Sequence, residues 1–314
     1  MTPRDKLDFS RIRVLDGGMA TELERRGSDL SGPLWSAHML GTSPETIAAV
    51  HLDYLRAGAD CISTASYQVS TQGYREIGRP AADAARALRQ SVEIAEQVRD
   101  GYARENSRRI WIAASLGPYG AVLHNGAEYH GRYDIDFDEL VKFHAGRLAV
   151  AAATSADLVA LETIPSLEEA QALLQALKQS PAVSAWVSFT CRDAAHVAHG
   201  EQLGACVAAA AGSPQVVAVG INCTVPGSVS MLIREARQGC QDRRPVLVYP
   251  NSGEVWDAAT RSWQGTADPA EFGALAGEWY AAGAQAVGGC CRTGPGHIAA
   301  VRGACEAAED ARPS

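Results

Sequence analysis

The 314-residue chain has no apolar run approaching the roughly 18 residues of a membrane-crossing helix. Its opening, MTPRDKLDFSRIR, lacks the apolar segment of a secretory signal. It also lacks an excess of positive charge. The formal net charge is −8, which argues against a nucleic-acid surface. No low-complexity tract or linker divides the sequence, so residues 1–314 are read as one domain, with a core from about 12 to about 307. Two further absences concern chemistry. No Gly-x-Gly-x-x-Gly follows the first apolar run, which counts against a dinucleotide-binding doubly wound sheet. No Cys-x-x-Cys pair occurs among the eight cysteines. Without a secretory signal, those cysteines suit a reducing, cytoplasmic setting, as core filler, nucleophile or metal ligand sooner than as disulfide partners.

What is present is a repeated alternation. Short apolar runs fall at 13–18, 60–66, 110–117, 158–163, 185–191, 216–223, 245–253 and 286–291. They carry Val, Ile and Leu on both parities, the pattern of parallel strands buried on both faces. Helical stretches lie between them. In TSPETIAAVHLDYLRAG, Ser43 reads as an N-cap and Pro44 as the first helical residue. Ile47, Val50, Tyr54 and Leu55 recur at helical spacing, and Gly58 is a natural terminator. Further helices are expected over roughly 80–105, 136–153, 166–178, 203–211, 227–239, 268–282 and 296–307. Eight strands, each followed by a helix, are most economically a single-domain (β/α)8 barrel of TIM type. In that fold the strand C-termini surround one catalytic mouth.

The strand ends carry the chemistry: Asp16-Gly17-Gly18, Glu162, Asn222-Cys223, the stretch YPNSGE (249–254) and Cys290-Cys291. A lone strand cysteine is usually a small buried hydrophobe, which is the reading for Cys61, Cys206, Cys240 and Cys305. The adjacent pair is different. A bond between neighbours is disfavoured, because their Cα atoms lie ~3.8 Å apart, below the usual ~4.4–6.8 Å for a disulfide. Two sulfurs on one tetrahedral zinc lie roughly 3.7–3.8 Å apart, which adjacent residues can reach where a strand ends. Gly288 and Gly289 would give the backbone freedom to turn both inward. Cys223 is the natural third ligand, and three thiolates leave one position open. Cys191 could supply a fourth sulfur and make the site purely structural. His196 and His199 stand three apart in a loop without a helical pattern, which favours solvent or lid roles.

In order along the chain, LDGGMATELERRG, LWSAHML, ASYQ, SLGPYGA, LETIPS, GINC, YPNSGE and GGCCRTGP resemble the zinc-dependent homocysteine S-methyltransferases. The resemblance runs from about residue 14 to about 300 and is strongest to the branch using S-methylmethionine or S-adenosylmethionine. It implies a (β/α)8 barrel holding one Zn2+ on Cys223, Cys290 and Cys291. It further implies L-homocysteine against Asp16, Gly17 and Gly18, with Glu162 holding its ammonium group. Asn222 reads as a substrate-binding or supporting group. Betaine-using relatives carry an aromatic residue after the strand-four glutamate, where this chain has Thr163. A sulfonium donor suits aromatic faces, and Trp35, Tyr67 and Tyr119 sit in loops on the expected active face, where they would contact the donor or pack a lid. Arg292 would bind an anionic group or brace its loop. Two alternatives stay open: the same site using betaine or a folate, and a thiol-rich metal or redox protein.

Overall fold

Seven of the eight apolar runs pair into one curled, wholly parallel sheet. The computed structural model describes residues 9–32, 34–257, 262–264 and 268–310; the charged opening residues 1–8 lie outside them. The strands are β1 (Cys61–Ser63), β2 (Trp111–Leu116), β3 (Leu158–Ile164), β4 (Ala185–Phe189), β5 (Val216–Asn222) and β6 (Val246–Tyr249). An antiparallel hairpin, β7 (Val255–Asp257) and β8 (Ser262–Gln264), precedes β9 (Ala286–Val287). The sheet order is β1-β2-β3-β4-β5-β6-β9. The run at 13–18 contributes two residues rather than a strand. Val14 bridges Val287 and Leu15 bridges Cys61, both in parallel sense, so this segment lies between the two sheet edges. It is cut short because Gly17 and Gly18 turn the chain into the helix Met19–Arg25.

The seam is held by Asp60. Its carboxylate accepts the backbone N–H groups of Arg13 (3.0 Å) and Val14 (2.9 Å) and pairs with Arg108 and Arg302. Helices cover the outside much as the periodicity predicts, including Ala81–Ala103, Phe137–Ala152, Leu167–Leu177, Leu203–Ala211 and Pro295–Asp310. The helix Pro44–Ala57 ends at Gly58 in the left-handed region, φ 109°, as expected. Ser43 precedes it but makes no side-chain cap, contrary to the sequence reading. Ser70, Asp136, Ser166 and Asp268 do cap their helices. No described helix is long and apolar enough to cross a membrane.

Period-two alternation divides the core in two. Ile112, Ala114, Val159 and Leu161 face outward into the helix layer. Trp111, Ala113, Leu158, Ala160, Trp186, Ala218 and Leu247 form a separate inner cluster, against which Phe9 packs edge-on to Trp186 at 6.4 Å. Continuing that inner parity towards the strand C-termini gives Ser63, Ser115, Glu162, Ser188, Asn222 and Tyr249. An apolar plug thus gives way to a ring of polar groups.

Candidate metal and substrate site

Cys223, Cys290 and Cys291 converge above that ring. Their sulfurs lie within 4.8 Å of one another, the only such group of three or more potential metal ligands among the described residues. Cys291 Sγ is 3.9 Å from Cys223 Sγ and 4.0 Å from Cys290 Sγ, close to the spacing of sulfurs sharing a tetrahedral ion. Cys223 and Cys290 are joined as a disulfide, so the set becomes three thiol ligands on reduction. Two of the three originate on adjacent residues, yet the bond forms with the distant cysteine and not between neighbours. Cys191 stands outside the cluster, buried, with its thiol pushed up chiefly by burial. His196 is held by Asp193 and Gln202, away from any ligand group.

The backbone explains how neighbouring sulfurs face one point. Cys223 adopts φ 48° and Arg292 φ 65°, both in the left-handed region that L residues rarely enter. Gly288 and Gly289 do not adopt positive φ. They are needed for close approach: a Cβ on Gly288 would sit 2.6 Å from Leu15 Cβ, and one on Gly289 would collide with Thr293. The stretch YPNSGE proves to be a brace. Pro250 O accepts Cys290 N–H (2.8 Å), Ser252 N–H donates to Cys291 O (3.1 Å), and Asn251 N–H donates to Thr224 O (3.1 Å). Glu254 pairs with Arg292 at 2.9 Å, which gives Arg292 its bracing role.

Asp16 and Glu162 face the same space. Asp16 accepts Ser63 N–H at 2.7 Å, and burial, with the Glu162 charge adding to it, pushes its carboxyl up to about 8. Burial also raises Glu162, opposed by hydrogen bonds from Ser115 and Tyr249. Two buried acids, both raised by burial and one of them also by the other's charge, favour a cationic guest, which would stabilise both charged forms. Gly17 leaves room for Tyr54, whose ring carbon would lie 2.8 Å from any added Cβ. Gly18 leaves room for Cys290 O, at 2.5 Å. The Gly18 N–H is already used, donating to Thr293 O and Oγ1, so it does not point at a ligand. The Tyr54 hydroxyl donates to Gly18 O (3.0 Å) and Thr293 O (3.2 Å).

Asn222 is a clamp. Its Oδ1 accepts from Thr163 N–H (2.8 Å) and Ser188 Oγ (2.9 Å), while its Nδ2 donates to Thr163 Oγ1 (2.8 Å). Thr163 sits at φ 62°, strained for a β-branched residue, directly after Glu162. Trp35 and Tyr67 meet edge-on at 6.3 Å, and Tyr67 reaches Thr163. Tyr119 instead packs against Tyr133 (5.3 Å) and Phe143 (5.2 Å), with no ring contact to that pair among the described residues. Two neighbours were not singled out from sequence. Tyr129 interacts with the Cys291 sulfur, and Glu128 acts electrostatically on both Cys291 and Tyr67. Their only signal was GAEYHG, a short turn between glycines at φ 78° and 64°.

Comparison with known proteins agrees with this geometry. The family model described as homocysteine S-methyltransferase matches residues 13–305. The homocysteine S-methyltransferase YbgG of Bacillus subtilis is 44% identical over 93% of this chain and 94% of its own. The selenocysteine Se-methyltransferase of Brassica oleracea is 43% identical over 92% and 87%. The crystal structure of the Escherichia coli homocysteine methyltransferase MmuM in its metallated form superposes with a TM-score of 0.84 at 41% identity, covering 93% of this chain and 96% of that one.

Proposed function

Because the chain belongs to the homocysteine S-methyltransferase family, we propose that Cys223, Cys290 and Cys291 hold one zinc ion and that the methyl donor is a sulfonium. The protein is a methyltransferase that moves a methyl group to the sulfur of homocysteine, giving methionine. One observation carries the zinc reading: three cysteine sulfurs gather within 4.8 Å from two chain segments, with no fourth protein ligand in the group among the described residues. Three thiolates leave one tetrahedral position for a substrate sulfur. Bound zinc would keep that sulfur as thiolate, whereas a free thiol of pKa ~8.5 is only about 3% ionised at pH 7.

The chain's own groups do the rest. Glu162 and Asp16 receive the homocysteine ammonium, and the clamp of Asn222 on Thr163 fixes where Glu162 points. Tyr54 and Thr293 hold the Gly17–Gly18 turn against the cysteine loop. Trp35 and Tyr67 present ring faces to the donor; Tyr119 packs apart from them, against Tyr133 and Phe143. The homocysteine thiol proton leaves to solvent before transfer. The methyl carbon then forms its bond to the acceptor sulfur as its bond to the donor sulfur breaks, and the electron pair stays on the departing thioether. That displacement requires three collinear atoms, which is why the acids, the metal ligands and the rings must be held rigidly.

In this reading Val14 and Leu15 take the eighth strand position and close a (β/α)8 barrel, with the zinc at the C-terminal mouth. S-methylmethionine is the favoured donor, S-adenosylmethionine the second, and the setting is reducing and cytoplasmic. A selenol acceptor is a further reading, favoured by the similarity to the Brassica enzyme. The test is a panel: homocysteine and selenohomocysteine, each with S-methylmethionine, S-adenosylmethionine, betaine and a methylfolate. Methionine should form fastest with a sulfonium. Activity confined to betaine or folate would overturn the donor assignment.

A further inference from the structure

Glu128 acts on the Cys291 sulfur, and the transfer reaction leaves its role unexplained. Its Oε2 is buried and has no hydrogen-bond partner, an arrangement that is costly unless something supplies a counter-charge. The short turn Ala127–Tyr129 is pressed onto Gly120, where a Cβ would lie 2.5 Å from Glu128 N and 3.0 Å from Glu128 Cα. This contact fixes the acid in place. Around it are the Tyr67 ring, which also meets Trp35, and Tyr129, which interacts with Cys291. Tyr129 keeps half its surface exposed, so the group opens to solvent. Arg292, the cation nearest the cluster in sequence, is engaged with Glu254.

We propose that Glu128, with Tyr67 and Tyr129, forms the site for the positively charged sulfonium end of the methyl donor. A carboxylate beside aromatic faces is a cation site. This inference rests on the sulfonium reading above and deepens it. It also has a chemical consequence. The sulfonium loses its charge on transfer, so the departing thioether is neutral and Glu128 no longer holds it. Glu128 therefore distinguishes donor from product by charge and favours product release. It touches the donor without taking part in bond exchange, so its removal changes donor affinity more than the maximal rate.

The test uses the zinc-loaded, reduced enzyme as wild type, Glu128→Gln and Glu128→Asp. Calorimetry measures the binding of S-methylmethionine and of methionine, and kinetics give KM for each substrate. Loss of one charge-assisted contact predicts donor binding weaker by about 10- to 100-fold in Glu128→Gln. Methionine affinity, homocysteine KM, zinc content and melting temperature should stay within about twofold or a few degrees of wild type, and Glu128→Asp should recover part of the donor affinity. Unchanged donor binding in Glu128→Gln, or equal loss for donor and methionine, would overturn the assignment. Wild type that binds S-methylmethionine without making methionine would refute the sulfonium reaction but leave the cation site standing. Active wild type with an indifferent Glu128→Gln variant would do the reverse. No affinity of wild type for S-methylmethionine overturns both.

Discussion

Asn222 has three hydrogen bonds on its buried amide, two of them to a threonine held at φ 62°. Asn222→Ala should therefore cost about 3 kcal/mol in urea unfolding, since it leaves the buried Thr163 and Ser188 groups unpaired. Homocysteine KM should rise with it, because Glu162 precedes Thr163. A stability change under about 0.5 kcal/mol would show that the clamp is idle. Gly18→Ala places a Cβ 2.5 Å from the Cys290 carbonyl, which is backbone and cannot rotate away. It should lower zinc stoichiometry in the purified protein while leaving far-UV circular dichroism unchanged. The residues that lead here were legible as types. The adjacent cysteines and the distant third do gather into one cluster, and the glutamate ending an apolar strand does face the same buried space as Asp16. Which groups are free to bind was not legible. The sequence placed Asn222 and Gly18 at the mouth, but did not show that Asn222 would bond to Thr163 and Ser188 or that the Gly18 N–H would donate to Thr293.

Among elements, the helices Phe137–Ala152 and Leu167–Leu177 share a buried polar contact that bears on the active face. His144 Nε2 lies 2.9 Å from Glu169 Oε1, and Glu169 also accepts Tyr119 N–H (2.6 Å) and the Tyr133 hydroxyl. Burial raises Glu169 to about 8 and, with the Arg147 charge, holds His144 well below its usual range. The pair is thus a neutral hydrogen bond at neutral pH. A carboxyl with a raised folded-state pKa contributes stability that is present at low pH and lost as pH rises. Wild type should accordingly lose stability relative to Glu169→Gln between pH 4.5 and about 8, as read by urea midpoints across that range. A pH-independent difference would contradict this. Helix spans were readable because a 3.6-residue period persists over several turns. Strand ends were not: the runs at 60–66 and 286–291 keep their apolar character beyond the three and two residues that pair. The continuation past Val287 is diverted by contacts with Leu15 and Thr293, residues some 270 positions away or immediately after the pair, and period alone carries no trace of them.

For the whole molecule, the decisive contact is the seam where Val14 and Leu15 lie between β9 and β1. Asp60 holds that seam through two backbone N–H groups and two arginines. Asp60→Ala leaves those donors and charges uncompensated and should destabilise by about 3–5 kcal/mol. The Leu15 and Asp16 amides, which donate to Val287 O and Cys61 O, should be slow to exchange in wild type and fast in the variant. Rapid exchange in wild type would mean that the ring is open there. The seam matters because Asp16 follows Leu15 there and Cys290 and Cys291 follow the neighbouring β9, while Glu162 lies on β3 and Cys223 follows β5. The central claim is the proposal that Cys223, Cys290 and Cys291 hold one zinc ion and leave one position on it for homocysteine. X-ray absorption at the zinc edge of the reduced, zinc-loaded protein, with and without homocysteine, tests it directly. The account predicts three sulfur neighbours at ~2.3 Å alone and four with homocysteine present. Four sulfurs from the start, or no change on adding homocysteine, would contradict it.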